Sequence, residues 1–266
     1  MSDVGTYLYA VCRGLADADL GSVRGLQDRP LRVLEHRGLV AVVSDVDLDE
    51  FGDEAIREHL EDLRWLEDVA RTHDEVVFAA SATAPTAPLR LATICLGDDG
   101  VRARLDEWHD PLVRTLQRVA GRREWSVKAY ADPAAPAAGN RELQDVTAGR
   151  GPADAGAPGA GAAYLRRRKE DSSRRERDAQ EEQRIAGGVH AALSARVVAS
   201  RRLALQDQRL SGHEGTMILN GAYLVDDDQA SGFRDAVAAL DDEHPSARFE
   251  LGGPWPAYSF VSLEGT

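Results

Sequence analysis

The stretch Gly252-Gly253-Pro254-Trp255-Pro256-Ala257-Tyr258-Ser259-Phe260-Val261 constrains this chain more than any other. Two glycines open backbone angles closed to other residues, and two prolines fix φ on either side of an indole. The segment therefore cannot be helix. It reads as a rigid corner anchored by Trp255, followed by a short strand in which Tyr258 and Phe260 share one face. Packing alone explains such a corner, since buried aromatics are usually core.

Upstream, hydrophobic periodicity divides the chain. Tyr7–Cys12 reads as a first strand, and the β-branched run Leu39–Val43 as a central one after a turn-rich stretch to Pro30. Carboxylates from Asp45 to Asp53 complement the positive end of a following helix. That helix is expected from about Glu54 to Ala80, with Ile56, Leu60, Leu63, Leu66, Ala70, His73 and Val77 on its inner stripe. Its other face is acidic: residues 44–75 hold thirteen Asp or Glu against three Arg, the pattern of a solvated face. Leu89–Leu96 follows as an internal strand, then a helix from about Asp98 to Ala120 that Pro111 kinks or splits. Trp125–Tyr130 alternates, with Trp125, Val127 and Ala129 inward, and closes a domain over residues 1–132.

Residues 133–162 are mostly Ala, Gly and Pro, the composition of a flexible connector. A charged helix from Ala163 to about Arg201 opens the second domain, residues 163–266, with a break expected at Gly187-Gly188. Strands at Leu203–Leu210 and Thr216–Val225, a helix at Asp228–Glu243 and strands at Arg248–Leu251 and Tyr258–Leu263 complete it. The fold class is α+β: two domains, each an antiparallel or mixed sheet with helices on one face, the second a modified ferredoxin-like unit.

A search for chemistry finds no nucleophile elbow, phosphate loop or zinc-type His/Cys spacing, so no catalytic, cofactor-binding or metal residues are assigned. Gly159-Ala160-Gly161 has Tyr164 where a dinucleotide fingerprint needs its third glycine. The histidines form no ligand-like pair, and His73 reads as a core histidine. Asp226-Asp227-Asp228 stands where a helix needs its N-cap, and Arg90 reads as a buried ion-pair partner. Cys12 and Cys95 lie in apolar runs and read as two buried free thiols, with a disulfide the alternative only where their strands are neighbours. A formal net charge of −13 disfavours nucleic acid and anionic membranes, because long-range repulsion opposes the encounter. Arg166-Arg167-Arg168-Lys169 does not reverse that, since Glu170, Asp171, Glu176 and Asp178 interleave with it. The N-terminus lacks the pattern of a signal peptide and no apolar run approaches about 18 residues, so a cytoplasmic protein is expected.

The corner, together with Pro88-Leu89-Arg90-Leu91-Ala92-Thr93 and Glu124-Trp125-Ser126-Val127-Lys128, resembles the GvpF/GvpL family of gas vesicle proteins. Ala163-Tyr164-Leu165 before the basic helix and Asn220–Val225 before the last helix are similar to that family too, in its order. The resemblance implies an accessory or minor structural component of the gas-filled shell, not an enzyme and without a cofactor. Its implied partners are the small, hydrophobic major shell protein and other vesicle proteins during assembly, at the gas vesicle. Trp125, Lys128, Trp255, Tyr258 and Phe260 are the candidate partner contacts. An acidic surface would keep a hydrophobic partner dispersed, and a strand edge or apolar groove would hold it. The competing expectation is a ferredoxin-like small-molecule-binding or regulatory protein, with a pocket near Arg90 or Asp226–Asp228.

Overall fold

The computed structural model describes residues 4–59, 61–131, 160–207 and 215–261, with residues 160–163 described by backbone alone. Two compact units emerge, and neither is continuous in sequence. The first takes residues up to Trp125 together with Leu224–Asp227 and the chain from Gly253; the second takes Ser126–Tyr223 and Asp228–Gly252.

The first unit is built on β1 (Val4–Cys12), β2 (Arg32–His36), β3 (Leu39–Asp47), β4 (Thr86–Pro88) and β5 (Ile94–Cys95). The order is β2-β3-β1-β4, with β5 also on β1, and every pairing is antiparallel. β2 follows the turn-rich stretch that ends at Pro30, where no strand is expected from sequence. Its hairpin turns at Arg37-Gly38, both at positive φ, and so joins β2 to β3 through a tight reversal. The expected strand Leu89–Leu96 is interrupted: β4 and β5 hold opposite ends of β1, and Arg90–Ala92 loops out with Ala92 at φ 60. Arg90 is exposed there, not buried.

Helices cover this sheet on both faces, not on one. Tyr7, Tyr9 and Val42 pack with Val69, Val76, Val77 and Ala80 of α3 (Leu63–Thr83). Leu8, Val11 and Val43 pack with Val101 and Leu105 of α4 (Gly97–Glu107) and with Leu112 and Leu116 of α5 (His109–Val119). The cause is visible in β1, whose residues Gly5–Cys12 are all buried, as a strand covered on both sides requires. A bulge between Leu8 and Ala10 shifts the alternation, which sends Tyr9 and Ala10 into the same core.

The helix expected over 54–80 is two, with a further short helix ahead of it. α1 (Leu48–Phe51) and α2 (Asp53–His59) precede α3, which Asp62 starts by accepting the amides of Arg64 and Trp65. The stripe shifts with the new start, so that Val69, His73, Val76 and Val77 turn inward while Leu63 is 77% exposed. Leu60 lies outside the described residues. The split near Pro111 occurs at Trp108, over which the Arg104 guanidinium sits 4.9 Å from the ring centre. Cys12 and Cys95 are free and buried; they face Thr86 and Thr6, at opposite ends of β1.

β6 (Arg122–Ala131) belongs with β7 (Ala199–Arg202), β8 (Thr216–Asp226) and β9 (Ala247–Trp255) in a four-stranded sheet of order β7-β8-β6-β9, not with β1–β5. Two antiparallel sheets with helices make the class α+β. In the second unit α6 (Ala160–Ser194) buries Ile185, Ala186, Val189 and Leu193, and α7 (Ala230–Glu243) buries Phe233 and Val237. α6 runs through Gly187-Gly188 without a break, because buried residues on both sides hold it. Tyr223 joins these layers, bonding His190 Nδ1 at 3.0 Å and packing on Phe233 at 5.5 Å. The strand expected at 203–210 is not there: residues 203–207 are not strand, residues 208–210 lie outside the described residues, and the strand is β7, which takes the last residues expected of the charged helix because α6 ends at Ser194. The connector expected over 133–162 lies outside them as far as residue 159.

Candidate partner-binding surface

The glycine–proline stretch is the end of an edge strand. β9 lies at the rim of its sheet, where a proline's missing amide leaves no ladder bond unmade, and it runs through Gly253-Pro254 to Trp255. Gly253 has a φ of 123, and a β-carbon there would stand 3.0 Å from the Glu124 carbonyl oxygen. The corner comes after it, at Pro256-Ala257, and Tyr258–Phe260 is a 3-10 turn, not the expected strand. Tyr258 and Phe260 consequently do not share a face. Phe260 is buried, while Tyr258 keeps 37% of its surface.

A buried carboxylate holds this turn. Glu124 accepts the Ser259 amide at 2.8 Å and the Ser259 hydroxyl at 2.6 Å, which fixes the residue between the two aromatics. Tyr258 then donates its phenol to Asp74 Oδ1 at 2.6 Å. Burial, together with the Asp74 carboxylate that needs this proton as its bond, raises the phenol well above its usual range. Four residues along α3 from Asp74, Phe78 meets the Trp255 ring edge-to-face at 5.7 Å. Phe78 is 38% exposed and Trp255 44%. Phe78, Trp255 and Tyr258 thus form an exposed aromatic cluster, anchored from behind and bordered by the carboxylates of α3.

Beneath it lies a buried polar core. Tyr7 accepts the Ala92 amide at 3.0 Å, and its hydroxyl is hydrogen-bonded to His73 Nδ1 at 3.1 Å. The ring's other nitrogen, Nε2, is buried without a hydrogen-bond partner. Burial pushes its pKa down to about 4, against the opposing influence of Asp74 and the Leu89 backbone. Tyr9 bonds Ser44 at 2.8 Å and accepts the Leu26 amide at 2.8 Å.

Of the residues singled out from sequence, Trp255 and Tyr258 reach this surface. Trp125 and Phe260 are buried. Lys128 lies in the second unit on β6, a central strand, with its Nζ 3.4 Å from Gln206. Phe78, Asp74 and Glu124 escaped the sequence reading; the available signal was a phenylalanine on the polar face of an acidic helix, four residues after Asp74. Asp226 and Asp227 do not cap α7, whose N-cap is Gln229; they pair with Arg122 at 2.8 Å and Arg123 at 3.8 Å. These arginines border a cavity of about 190 Å³ between the end of α3 and Gly121–Arg123. That is smaller than the roughly 300–1,000 Å³ usual for small-molecule sites. Among the described residues no group of three or more His, Cys, Asp or Glu stands ready for a metal, and no helix is long and apolar enough to cross a membrane.

Comparison with known proteins fits this architecture. The chain superposes on the crystal structure of gas vesicle protein GvpF from Anabaena sp. PCC7120 with a TM-score of 0.65, at 19% identity and over 98% of this chain and 97% of that one. It is 39% identical over 257 residues to gas vesicle protein L of Streptomyces sp. (strain CB03234), covering 97% of this chain and 92% of the relative. Gas vesicle protein F of the same organism is 29% identical, over 96% and 99% of the two chains. The sequence model described as gas vesicle synthesis protein GvpL/GvpF matches residues 5–262, and the chain belongs to that family.

Proposed function

We propose that this protein is an accessory or minor structural component that binds the major shell protein, and other vesicle proteins, during gas vesicle assembly. The observation that carries the reading is the exposed cluster of Phe78, Trp255 and Tyr258. Large aromatic rings left in water on a rigid support are the usual anchors of protein interfaces. The carboxylates around them keep a complex with a very hydrophobic subunit dispersed.

The test is Trp255→Ala and Tyr258→Ala in co-purification with the shell protein, each variant checked by melting. Because Trp255 is 44% exposed, its truncation costs well under the roughly 3–5 kcal/mol of a buried aromatic. The expected outcome is a folded protein that retains much less shell protein. Full retention by both folded variants refutes this surface as the contact.

A further inference from the structure

We infer that the charged arm at the start of α6 docks antiparallel on the outer face of α3 in a second copy of this chain. Tyr164–Arg177 is exposed at every position, and between Arg166 and Arg177 seven basic residues meet three acidic ones. A helix that is polar all round has no packing to hold it and gains stability from a partner. The outer ridge of α3, at Arg64, Glu67, Asp68, Arg71, Asp74, Glu75 and Phe78, is exposed too. It belongs to the segment 44–75 with thirteen acidic residues against three Arg, within a chain of net charge −13.

The order of charges carries the inference further than their sum. Set Tyr164 of one copy against Phe78 of the other and run the two helices in opposite directions. Positions 3, 4, 7, 10, 11 and 14 residues from each ring then share one face of each helix and meet in turn. Glu75 faces Arg167, Asp74 faces Arg168, Asp68 faces Arg174 and Glu67 faces Arg175. The two positions where α3 turns basic, Arg71 and Arg64, face the two where the arm turns acidic, Asp171 and Asp178. All six pairs are of opposite sign, and the inverted ones fix the register, because a slip of one residue loses them. Within α3, Arg71 already pairs with Asp68 on the open surface, so both side chains are free to be shared. The series is nearly symmetrical about Arg71 and Asp171, so its ends set the direction. A parallel arrangement would place Phe78 against Asp178 and Arg64 against Tyr164; the antiparallel one gives an aromatic pair and a sixth ion pair.

The test uses the full chain alone, so it stands or falls separately from shell-protein binding. Light scattering should give a mass that rises above 28.8 kDa with concentration and falls back as salt is added. Arg174→Glu with Arg175→Glu should weaken association by about tenfold or more without changing the melting curve. Adding Glu67→Arg and Asp68→Arg to that chain should restore it, because these positions meet only in the antiparallel register. A wild-type mass fixed at 28.8 kDa at every salt and concentration overturns the inference. So does failure of the four-fold variant to regain what the two-fold variant lost.

Discussion

Acidifying this protein through the range in which a free histidine titrates should destabilise its first unit, and His73 is the group responsible. The ring is 1% exposed, shares a hydrogen bond with the Tyr7 hydroxyl through Nδ1, and has its pKa driven by burial down to about 4. An unfolded chain returns it to about 6.5. The folded value is the lower one, so on acidification the unfolded chain takes up the proton first. The stability that His73 contributes as a neutral ring is therefore complete above about pH 6.5 and is lost as pH falls toward about 4. The full loss amounts to about 3 kcal/mol, and about 2 of it falls between pH 7 and pH 5.

The assay follows from where the fluorophores stand. All four tryptophans, at 65, 108, 125 and 255, belong to the first unit, so urea unfolding followed by their emission reads that unit. His190 also sits below its usual value because of burial, but it lies in the second unit and outside the signal. Wild type should lose about 2 kcal/mol between pH 7 and pH 5. His73→Gln, less stable at neutral pH, should lose far less over that interval. Equal losses in the two proteins would refute the assignment.

Three other substitutions test the packing. A β-carbon on Gly25 would come within 2.7 Å of both the Tyr9 hydroxyl and the Ser44 hydroxyl oxygen, so Gly25→Ala should destabilise by about 1–3 kcal/mol in urea unfolding although its φ of −81 suits alanine. Leu63→Ala should be nearly neutral, at about 0.5 kcal/mol or less, while Leu105→Ala should cost about 2–5 kcal/mol, the first being 77% exposed and the second fully buried.

Where one force decided the outcome, the residues announced it. The unbroken apolar run Leu39–Val43 is a central strand, Pro111 accompanies a divided helix, and both cysteines are buried free thiols. The misreadings arise where two forces compete. Leu63 fits an apolar period that begins at Ile56, but Asp62 caps a new helix and resets the phase. Gly187-Gly188 resembles a break, yet Ile185, Ala186, Val189 and Leu193 are buried around it and helix geometry prevails. β2 was hidden because Arg32–His36 is neither strongly apolar nor flanked by an Asn-Gly turn; Arg37-Gly38 reverses the chain instead. At the candidate surface Trp255 and Tyr258 stood out by residue type. Phe78 did not, because its place beside Trp255 depends on where the chain goes after residue 250. Nor did Glu124, whose carboxylate is turned inward from the start of β6 to hold Ser259.

The internal polar groups of this family member are engaged in holding its segments together. His73 is bound to Tyr7, Glu124 to Ser259, Tyr9 to Ser44, and the Cys12 thiol, raised to about 12 by burial, to Thr86. Each bond fixes a segment: the Tyr7–His73 pair ties β1 to α3, and the Glu124 clamp ties the C-terminal turn to β6. A proton held this way, or a thiol that deprotonates only in strong alkali, is poorly placed to react with anything that diffuses in. What the clamp at Ser259 and the bond from Tyr258 to Asp74 accomplish instead is to hold two rings at the edge of α3, beside Phe78, where water reaches them. The same α3 carries the charge series that matches the α6 arm, and Phe78 is common to both. If a shell subunit seats on Trp255 as proposed, and an arm on Phe78, the two would compete for one aromatic pair, so added shell protein should dissociate the self-associated chain in light scattering.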